Sequence, residues 1–178
     1  VKAYNKCNHK TTVLQWNPLA DNNEFFLSGH ENGTILYWQK DSEAAILEFH
    51  FMRQNNPVKA LAFNPRIGKL FSCGHQDGKF FIWKISNPYQ HLIFFQHDSH
   101  AVVDIEYHAK EQEVVMIGSK TIQIFKIKSD NKLDKLQNIH TFRGQLNCFR
   151  WRPKYNDHVS YATDNAIIIF NLQRPFLY

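Results

Sequence analysis

The feature that most constrains the fold of this chain is a repeat with a period of about 45 residues. An aromatic residue ends each unit, and these positions recur at intervals of 42 to 45 residues: Trp38, Trp83, Phe125 and Phe170. An earlier aromatic keeps nearly the same spacing: Trp16, Phe63, Tyr107 and Trp151. Two independent anchors with one period indicate a fold built from stacked, equivalent units. We place these units at residues 7–51, 52–96, 97–139 and 140–178.

Each unit has the sequence pattern of β-strands. Short runs rich in β-branched and aromatic residues end at a proline or a polar turn, as in "TTVLQWNP" and "VKALAFNP". Two further runs and a weaker fourth follow in every unit, without a sustained apolar period of 3.6 residues. The third run, for example "KFFIWKI", is apolar almost throughout, which is typical of a sheet covered on both faces. The pattern therefore predicts an all-β protein of four-stranded antiparallel sheets stacked around an axis, which is the β-propeller arrangement.

Over nearly its whole length the sequence resembles the WD-repeat β-propellers. The segments "VLQWNP…LSGHENGTILYWQ" and "VKALAFNP…SCGHQDGKFFIWKI" resemble the innermost strand, second strand, tight turn and third strand of that family. The last two units are degenerate, since phenylalanine replaces the signature tryptophan and the turn "GSKT" has no acid. The resemblance implies structural roles for two turn residues and four repeat aromatics: Asn32, Asp77, Trp38, Trp83, Phe125 and Phe170.

The number of units bears on completeness. WD-repeat propellers usually have seven blades, so the resemblance implies that this chain forms about four blades of a seven-bladed ring within a longer protein. An arc of four sheets leaves two open edges and two uncovered apolar faces. Each large apolar side chain left in water costs about 1.5–3 kcal/mol. We therefore expect the isolated chain of 178 residues to self-associate unless further chain or a partner closes the ring.

Two Gly-His pairs, in "GHENG" at His30 and "GHQDG" at His75, allow two interpretations. They are either turn residues at equivalent places in two blades or parts of a shared metal site. Adjacent blades would separate the two rings, and no Cys or His lies at ligand spacing beside either. The pattern favours exposed turn residues, and we expect His75→Ala to leave stability almost unchanged.

No pattern in the sequence predicts catalysis. The letters "HDSH" at residues 97–100 are a loop, because the groups of a catalytic triad meet across a fold and not in succession. Nucleotide-binding, zinc-protease and CxxC motifs do not occur. We therefore expect no enzyme activity, cofactor, metal or small-molecule substrate. The three widely spaced cysteines, Cys7, Cys73 and Cys148, predict buried, reduced thiols in a cytoplasmic or nuclear protein that is not secreted.

The resemblance implies a non-catalytic scaffold that holds other protein subunits, an inference that depends on the fold and not on a site. We expect its partner surface where the loop before each innermost strand and the turn before each third strand come together. The residues predicted to lie there are polar or charged: His9, Lys10, His30, Glu31, Arg53, His75, Gln76, His100 and Arg143.

An alternative function is binding to phosphoinositides, and so to a membrane surface, through Phe142-Arg143-Gly144. Propellers that bind these lipids carry two arginines in the corresponding loop, whereas this loop has one. Nucleic-acid binding is disfavoured, because the residues that give the net charge of +5 are scattered over all four units.

Overall fold

The computed structural model describes residues 9–19, 21, 24–49, 55–96, 100–111, 114–140, 144–152 and 157–173. Within these ranges the protein is all-β, with four antiparallel sheets and no α-helix. Consecutive strands pair in chain order in every sheet, so each sheet is an antiparallel meander. The predicted architecture of stacked antiparallel sheets is confirmed.

The strands coincide closely with the apolar runs of the sequence. The first sheet contains β1 (Thr11–Trp16), β2 (Phe25–His30), β3 (Ile35–Gln39) and β4 (Leu47–Phe49). The second sheet contains β5 (Val58–Phe63), β6 (Leu70–His75), β7 (Lys79–Lys84) and β8 (Ile93–Gln96). The third sheet contains β9 (Asp104–Tyr107), β10 (Val114–Gly118), β11 (Thr121–Ile127) and β12 (Leu133–His140). The fourth sheet contains β13 (Leu146–Trp151), β14 (His158–Thr163) and β15 (Ile167–Asn171) among the described residues.

Three apolar cores hold the sheets together, one between each sheet and the next. The innermost strands β1, β5, β9 and β13 lie side by side along the chain order. The adjacent β7 residues Phe80 and Phe81 are both buried, Phe80 in the core shared with the third sheet and Phe81 in the core shared with the first. This burial on both faces explains why the third strand of a unit is apolar almost throughout.

A glycine at or near the end of the second strand lets each of the first three sheets approach its neighbour closely. A Cβ atom on Gly74 would lie 2.3 Å from Val102 Cγ1, and one on Gly118 would lie 2.3 Å from Phe149 Cε1. Gly29 has the same relation to Val58, at 2.7 Å. The glycine of the Gly-His pair is therefore needed for packing between sheets.

The hairpin turns of the first two sheets use the residues that the resemblance assigns to them. Gly33 and Gly78 have φ angles of 91° and 82°, which favour glycine. Asn32 Oδ1 accepts a hydrogen bond from the Thr34 backbone N–H at 3.1 Å. Asp77 Oδ1 accepts one from the Lys79 backbone N–H at 3.2 Å. These side chains fix the turns before β3 and β7.

Carboxylates on β9 bind the exposed inner edge of β13. Asp104 Oδ2 accepts hydrogen bonds from the Phe149 backbone N–H at 3.1 Å and from Arg150 Nη1 at 2.6 Å. Glu106 Oε2 accepts one from the Trp151 backbone N–H at 2.7 Å. Burial raises the pKa of Glu106 to about 7. The third and fourth sheets are thus joined near the axis by side chains that satisfy backbone groups of an edge strand.

The two outermost faces of the stack are apolar and exposed. Leu14 and Trp16 are 61% and 51% exposed on the first sheet, and Ile167 and Ile169 are 83% and 66% exposed on the fourth. Cys148 lies on the same outer face of the fourth sheet and is exposed, so the expectation of a buried thiol is wrong for this residue. Cys73 is buried as expected, and Cys7 lies outside the described residues.

Candidate functional site

The loop before an innermost strand and the turn before a third strand meet at one end of each sheet, which we call the rim. Backbone hydrogen bonds of 2.9–3.2 Å join the two segments at equivalent positions in three sheets: Glu31 N–H to Lys10 O, Gln76 N–H to Pro57 O, and Asp164 N–H to Gln145 O. The rim is therefore a set of paired segments attached to strands, and its backbone is held in place.

In each of the first three sheets, a side chain at the end of the second strand or directly after it also bonds to the loop before the innermost strand. We call these side chains the loop-anchoring residues: His30, His75 and Ser119, each directly after the glycine that packs between sheets. His30 Nδ1 lies 3.3 Å from the His9 carbonyl oxygen, and His75 Nδ1 lies 2.9 Å from that of Asn56. Ser119 Oγ donates to the His100 carbonyl oxygen at 3.2 Å.

The burial of His30 and His75 contradicts the prediction that they are exposed turn residues. They are 1% and 2% exposed, and each is the last residue of a second strand. Their rings point inward because each reaches a carbonyl oxygen of the neighbouring loop. Burial lowers the pKa of both imidazoles, which favours the neutral form. These two side chains are therefore not available to a partner at the rim surface.

In the first sheet, His30 ends a chain of buried hydrogen bonds. Trp38 Nε1 donates to Ser28 Oγ at 2.8 Å, which leaves the serine hydroxyl to donate to His30 Nε2, also at 2.8 Å. His30 Nδ1–H then donates to the loop carbonyl. The chain fixes the loop to the signature tryptophan of the third strand, so Trp38 has a polar role as well as an apolar one.

The second sheet keeps a weaker form of this chain. Cys73 replaces the serine, and its Sγ lies 3.6 Å from His75 Nε2. Burial raises the pKa of this thiol to about 12, so it stays protonated. In the last two sheets the tryptophan position holds Phe125 and Phe170, which have no N–H group. The hydrogen-bond chain is thus lost in the degenerate units. Sequence reasoning missed it, although Ser-Gly-His followed by Trp is its signal.

The remaining residues predicted for the partner surface divide into two groups. Five are exposed on the rim segments: His9, Lys10, Glu31, Gln76 and His100. Arg53 and Arg143 lie outside the described residues, as does Phe142 of the alternative lipid-binding loop. Two members of the exposed group line one cleft: Gln76, on the second-sheet turn, and His100, in the loop before β9.

This cleft lies at the rim of the third sheet and has a volume of about 720 Å³. Its lining includes apolar residues and exposed polar ones: Ala101, Val103 and Leu146, with Gln76, His100, Lys120, His140 and Gln145. The volume is within the range of about 300–1,000 Å³ that is typical of ligand sites. No carboxylate belongs to the described lining, whereas Lys120 contributes a positive charge.

The cleft has a local structural cause. In the first two sheets the turn spans from Gly29 to its partner Ile35 and from Gly74 to its partner Phe80. In the third sheet Gly118 pairs with Ile122, so the turn is two residues shorter. The short hydroxyl of Ser119 also stands where the other two sheets have an imidazole. A shorter turn and a smaller side chain leave the space open.

The described residues contain neither a metal-binding cluster nor a membrane-spanning helix. In the ranges that the structure describes, no group of three or more His, Cys, Asp or Glu side chains is placed to hold a metal ion. Of the residues with described positions, none forms a helix with the length and apolar character to span a membrane.

The sequence matches no protein-family model. It is 24% identical over 176 residues to a protein from Aspergillus oryzae (strain ATCC 42149 / RIB 40) named "Protein transport protein sec31", covering 90% of this chain and 13% of that protein. It is 25% identical over 177 residues to "Protein transport protein SEC31" of Coccidioides immitis (strain RS), covering 90% of this chain and 14% of that protein.

A shorter match, 30% identical over 79 residues, is to "Polyadenylation factor subunit 2" of Candida albicans (strain SC5314 / ATCC MYA-2876). It covers 44% of this chain and 14% of that protein. The chain thus spans about one seventh of the length of the relatives it matches. At weak identity, these similarities support the resemblance to WD-repeat proteins. They give no support to the lipid-binding alternative.

Proposed function

We propose that this chain is a WD-repeat propeller segment that acts as a non-catalytic scaffold for other protein subunits, in the cytoplasm or the nucleus. The observation that carries the proposal is the rim, where exposed polar residues stand on loops that are bonded to strands. One similar protein is by name a subunit of a polyadenylation factor and two are by name protein transport proteins, which is consistent with work in assemblies.

The geometry of the rim suits protein binding because the loops are ordered before a partner arrives. Binding costs free energy for every loop and side chain that it immobilises. Here the loop backbones are already held by the bonds to His9 and Asn56 and by the paired turns. Contacts of exposed groups such as Lys10 and Glu31 with a partner would therefore not be offset by the entropic cost of ordering the loop. Their opposite charges would select a partner with the complementary pattern.

Charge reversals at the rim of the full-length protein test the proposal. Lys10→Glu and Glu31→Lys leave the bond between the two backbones in place, because side chains take no part in it. The matched control is Lys84→Glu, at the exposed end of β7 that lies away from the rim. Quantitative mass spectrometry should show that the rim variants lose co-purifying subunits and that the control keeps them. An unchanged set of subunits with both rim variants would contradict the proposal.

A further inference from the structure

We propose that the outer face of the fourth sheet binds the outer face of the first sheet in a second copy of this protein. The inference goes beyond the scaffold function, and the contact does not include the rim. Each outer face has a pair of large apolar side chains that are 51% to 83% exposed: Leu14 and Trp16 on β1, and Ile167 and Ile169 on β15. We call the first pair the front pair and the second the back pair. Exposed apolar side chains that form such patches mark surfaces for association.

Side chains at the same two strand positions meet in each core inside the chain. The register of the innermost and second strands makes three buried pairs equivalent to the front pair: Leu61 and Phe63, Ile105 and Tyr107, and Phe149 and Trp151. The register of the second and third strands makes three buried pairs equivalent to the back pair: Ile35 and Tyr37, Phe80 and Ile82, and Ile122 and Ile124. All these side chains are at most 8% exposed. Every core therefore joins a pair of the back type to a pair of the front type from the following sheet.

A second copy can complete the contact that the chain forms repeatedly within itself. The back pair of the fourth sheet lacks a pair of the front type, and the first sheet of the same chain presents one in exposed form. The described residues thus include both halves of the contact, at the two ends of the stack. Burial of both pairs removes apolar surface from water, which is the main driving force of association. This match within one chain favours a second copy over an unrelated protein.

Ala162 makes the contact between copies less close than the contacts inside the chain. It occupies the strand position of Gly29, Gly74 and Gly118. A Cβ atom on Gly74 would lie 2.3 Å from Val102 Cγ1, so the Cβ atom of Ala162 keeps a neighbouring sheet further away. Less close packing loses dispersion contacts, so we expect a reversible association and not a permanent one.

The contacts inside the chain identify residues that should be neighbours in the assembly. Asp104 Oδ2 on β9 lies 3.1 Å from the backbone nitrogen of Phe149 on the next innermost strand. By strand register, Cys148 is equivalent to Asp104, and Leu14 is equivalent to Phe149. Cys148 is a free, exposed thiol. In a second copy, the thiol of Leu14→Cys should therefore lie close enough to Cys148 to form a disulfide.

Oxidative cross-linking of the full-length protein tests this geometry. Copies with Leu14→Cys and Cys148→Ser are mixed with copies that keep Leu14 and Cys148, so that a disulfide between positions 14 and 148 joins two copies. A non-reducing gel should show a species of twice the mass, and peptide mapping should identify this link. The matched control is Gln15→Cys with Cys148→Ser, because successive side chains of a strand point to opposite faces. The control should give no link to Cys148.

Sedimentation equilibrium of the full-length protein measures the strength of the contact. Ile169→Thr should weaken the association by about tenfold to hundredfold, because burial of one large apolar side chain contributes a factor of this size. Threonine is β-branched, so the strand should be kept. Leu136→Thr is the control: this side chain is 54% exposed on β12, away from both outer faces, and its replacement should leave the association unchanged. Ala162→Gly should strengthen the association, because it permits closer packing.

A full-length protein that stays monomeric at every concentration would overturn the inference. Labelling of Cys148 then distinguishes the reasons: a protected thiol would mean that another part of the same protein covers the face, and a reactive thiol would mean that the face stays open. Equal effects of Ile169→Thr and Leu136→Thr, or failure of positions 14 and 148 to link, would also overturn it. None of these results involves Lys10 or Glu31, so the rim variants judge the scaffold function separately.

Discussion

His75→Ala is expected to destabilise the protein strongly, in contrast to the silent effect predicted from its place in a turn-like motif. The ring is 2% exposed, donates to the Asn56 carbonyl oxygen and packs edge-on against Phe81 with ring centroids 5.5 Å apart. The lost hydrogen bond is worth about 1 kcal/mol. The lost aromatic contact and the cavity add about 2 kcal/mol. The total, about 3 kcal/mol, is a large part of the stability of an ordinary domain.

Urea unfolding followed by tryptophan fluorescence measures this change. The matched control is Gln76→Ala, at the next position, where the side chain is exposed and only the backbone is bonded to the loop. His75→Gln should recover part of the lost stability, because an amide N–H can replace the imidazole donor. A change below about 0.5 kcal/mol for His75→Ala would refute the assignment of this residue as a buried loop anchor.

The same variant should alter how stability depends on pH. Burial lowers the pKa of His75 in the folded protein, so below about pH 6.5 the unfolded chain binds more protons than the folded one. Wild-type stability should therefore fall as the pH falls below that value. In His75→Ala the free energy of unfolding should depend less steeply on pH. The dependence that remains should come from groups such as His30, whose pKa is also lowered by burial. An identical slope in both proteins would contradict the buried, neutral state.

Three further substitutions test other contacts. Gly74→Ala should cost about 2 kcal/mol in urea unfolding, because its Cβ would lie 2.3 Å from Val102 Cγ1 and force two sheets apart. Asp77→Ala should cost about 1 kcal/mol, since this partly exposed carboxylate bonds to Lys79. Burial disfavours the charged form of Asp77, but the hydrogen bonds to its carboxylate outweigh this effect and lower its pKa. The loss of stability in Asp77→Ala should therefore disappear as the pH falls below about 4, where the wild-type carboxylate becomes protonated. The raised pKa of Glu106 means that the wild-type protein should lose thermal stability as the pH rises from about 4.5 to 7. Glu106→Gln has no ionisable group at this position, so its melting temperature should not show this fall.

Most strands could be predicted from the sequence because a buried sheet leaves a direct record in the order of apolar residues. The run "VKALAF" is β5 without any shift in its bounds. The run "VVDIEY" begins two residues before β9, and the Val102 backbone N–H donates to the His75 carbonyl oxygen at the end of β6 in the second sheet, outside the pairing of β9 with β10. Hydrogen bonds between sheets depend on how the sheets stack, and the sequence of a single strand does not reveal them.

The candidate site was less predictable for two physical reasons. A shift of one residue in the strand boundary decides whether the histidine after the glycine ends a strand or begins a turn. The same shift decides whether its ring is buried or exposed. The turn "GSKT" is visibly short in the sequence, but its consequence arises only when the neighbouring rim segments stand around it. The exposed positions Lys10, Gln76 and His100 were predictable, because loops that join strands lie on the surface.

The two exposed apolar faces give the stack a direction. Every sheet meets the preceding sheet with one face and the following sheet with the other, so the surface around Leu14 and Trp16 is not equivalent to that around Ile167 and Ile169. Copies that joined through these faces would associate head to tail, without a two-fold axis, and each addition would recreate the same two unlike surfaces. Such growth stops only if the rotations between successive sheets add up to a full turn, so that the last sheet packs against the first. The angle between neighbouring sheets therefore decides between a closed ring and an open filament.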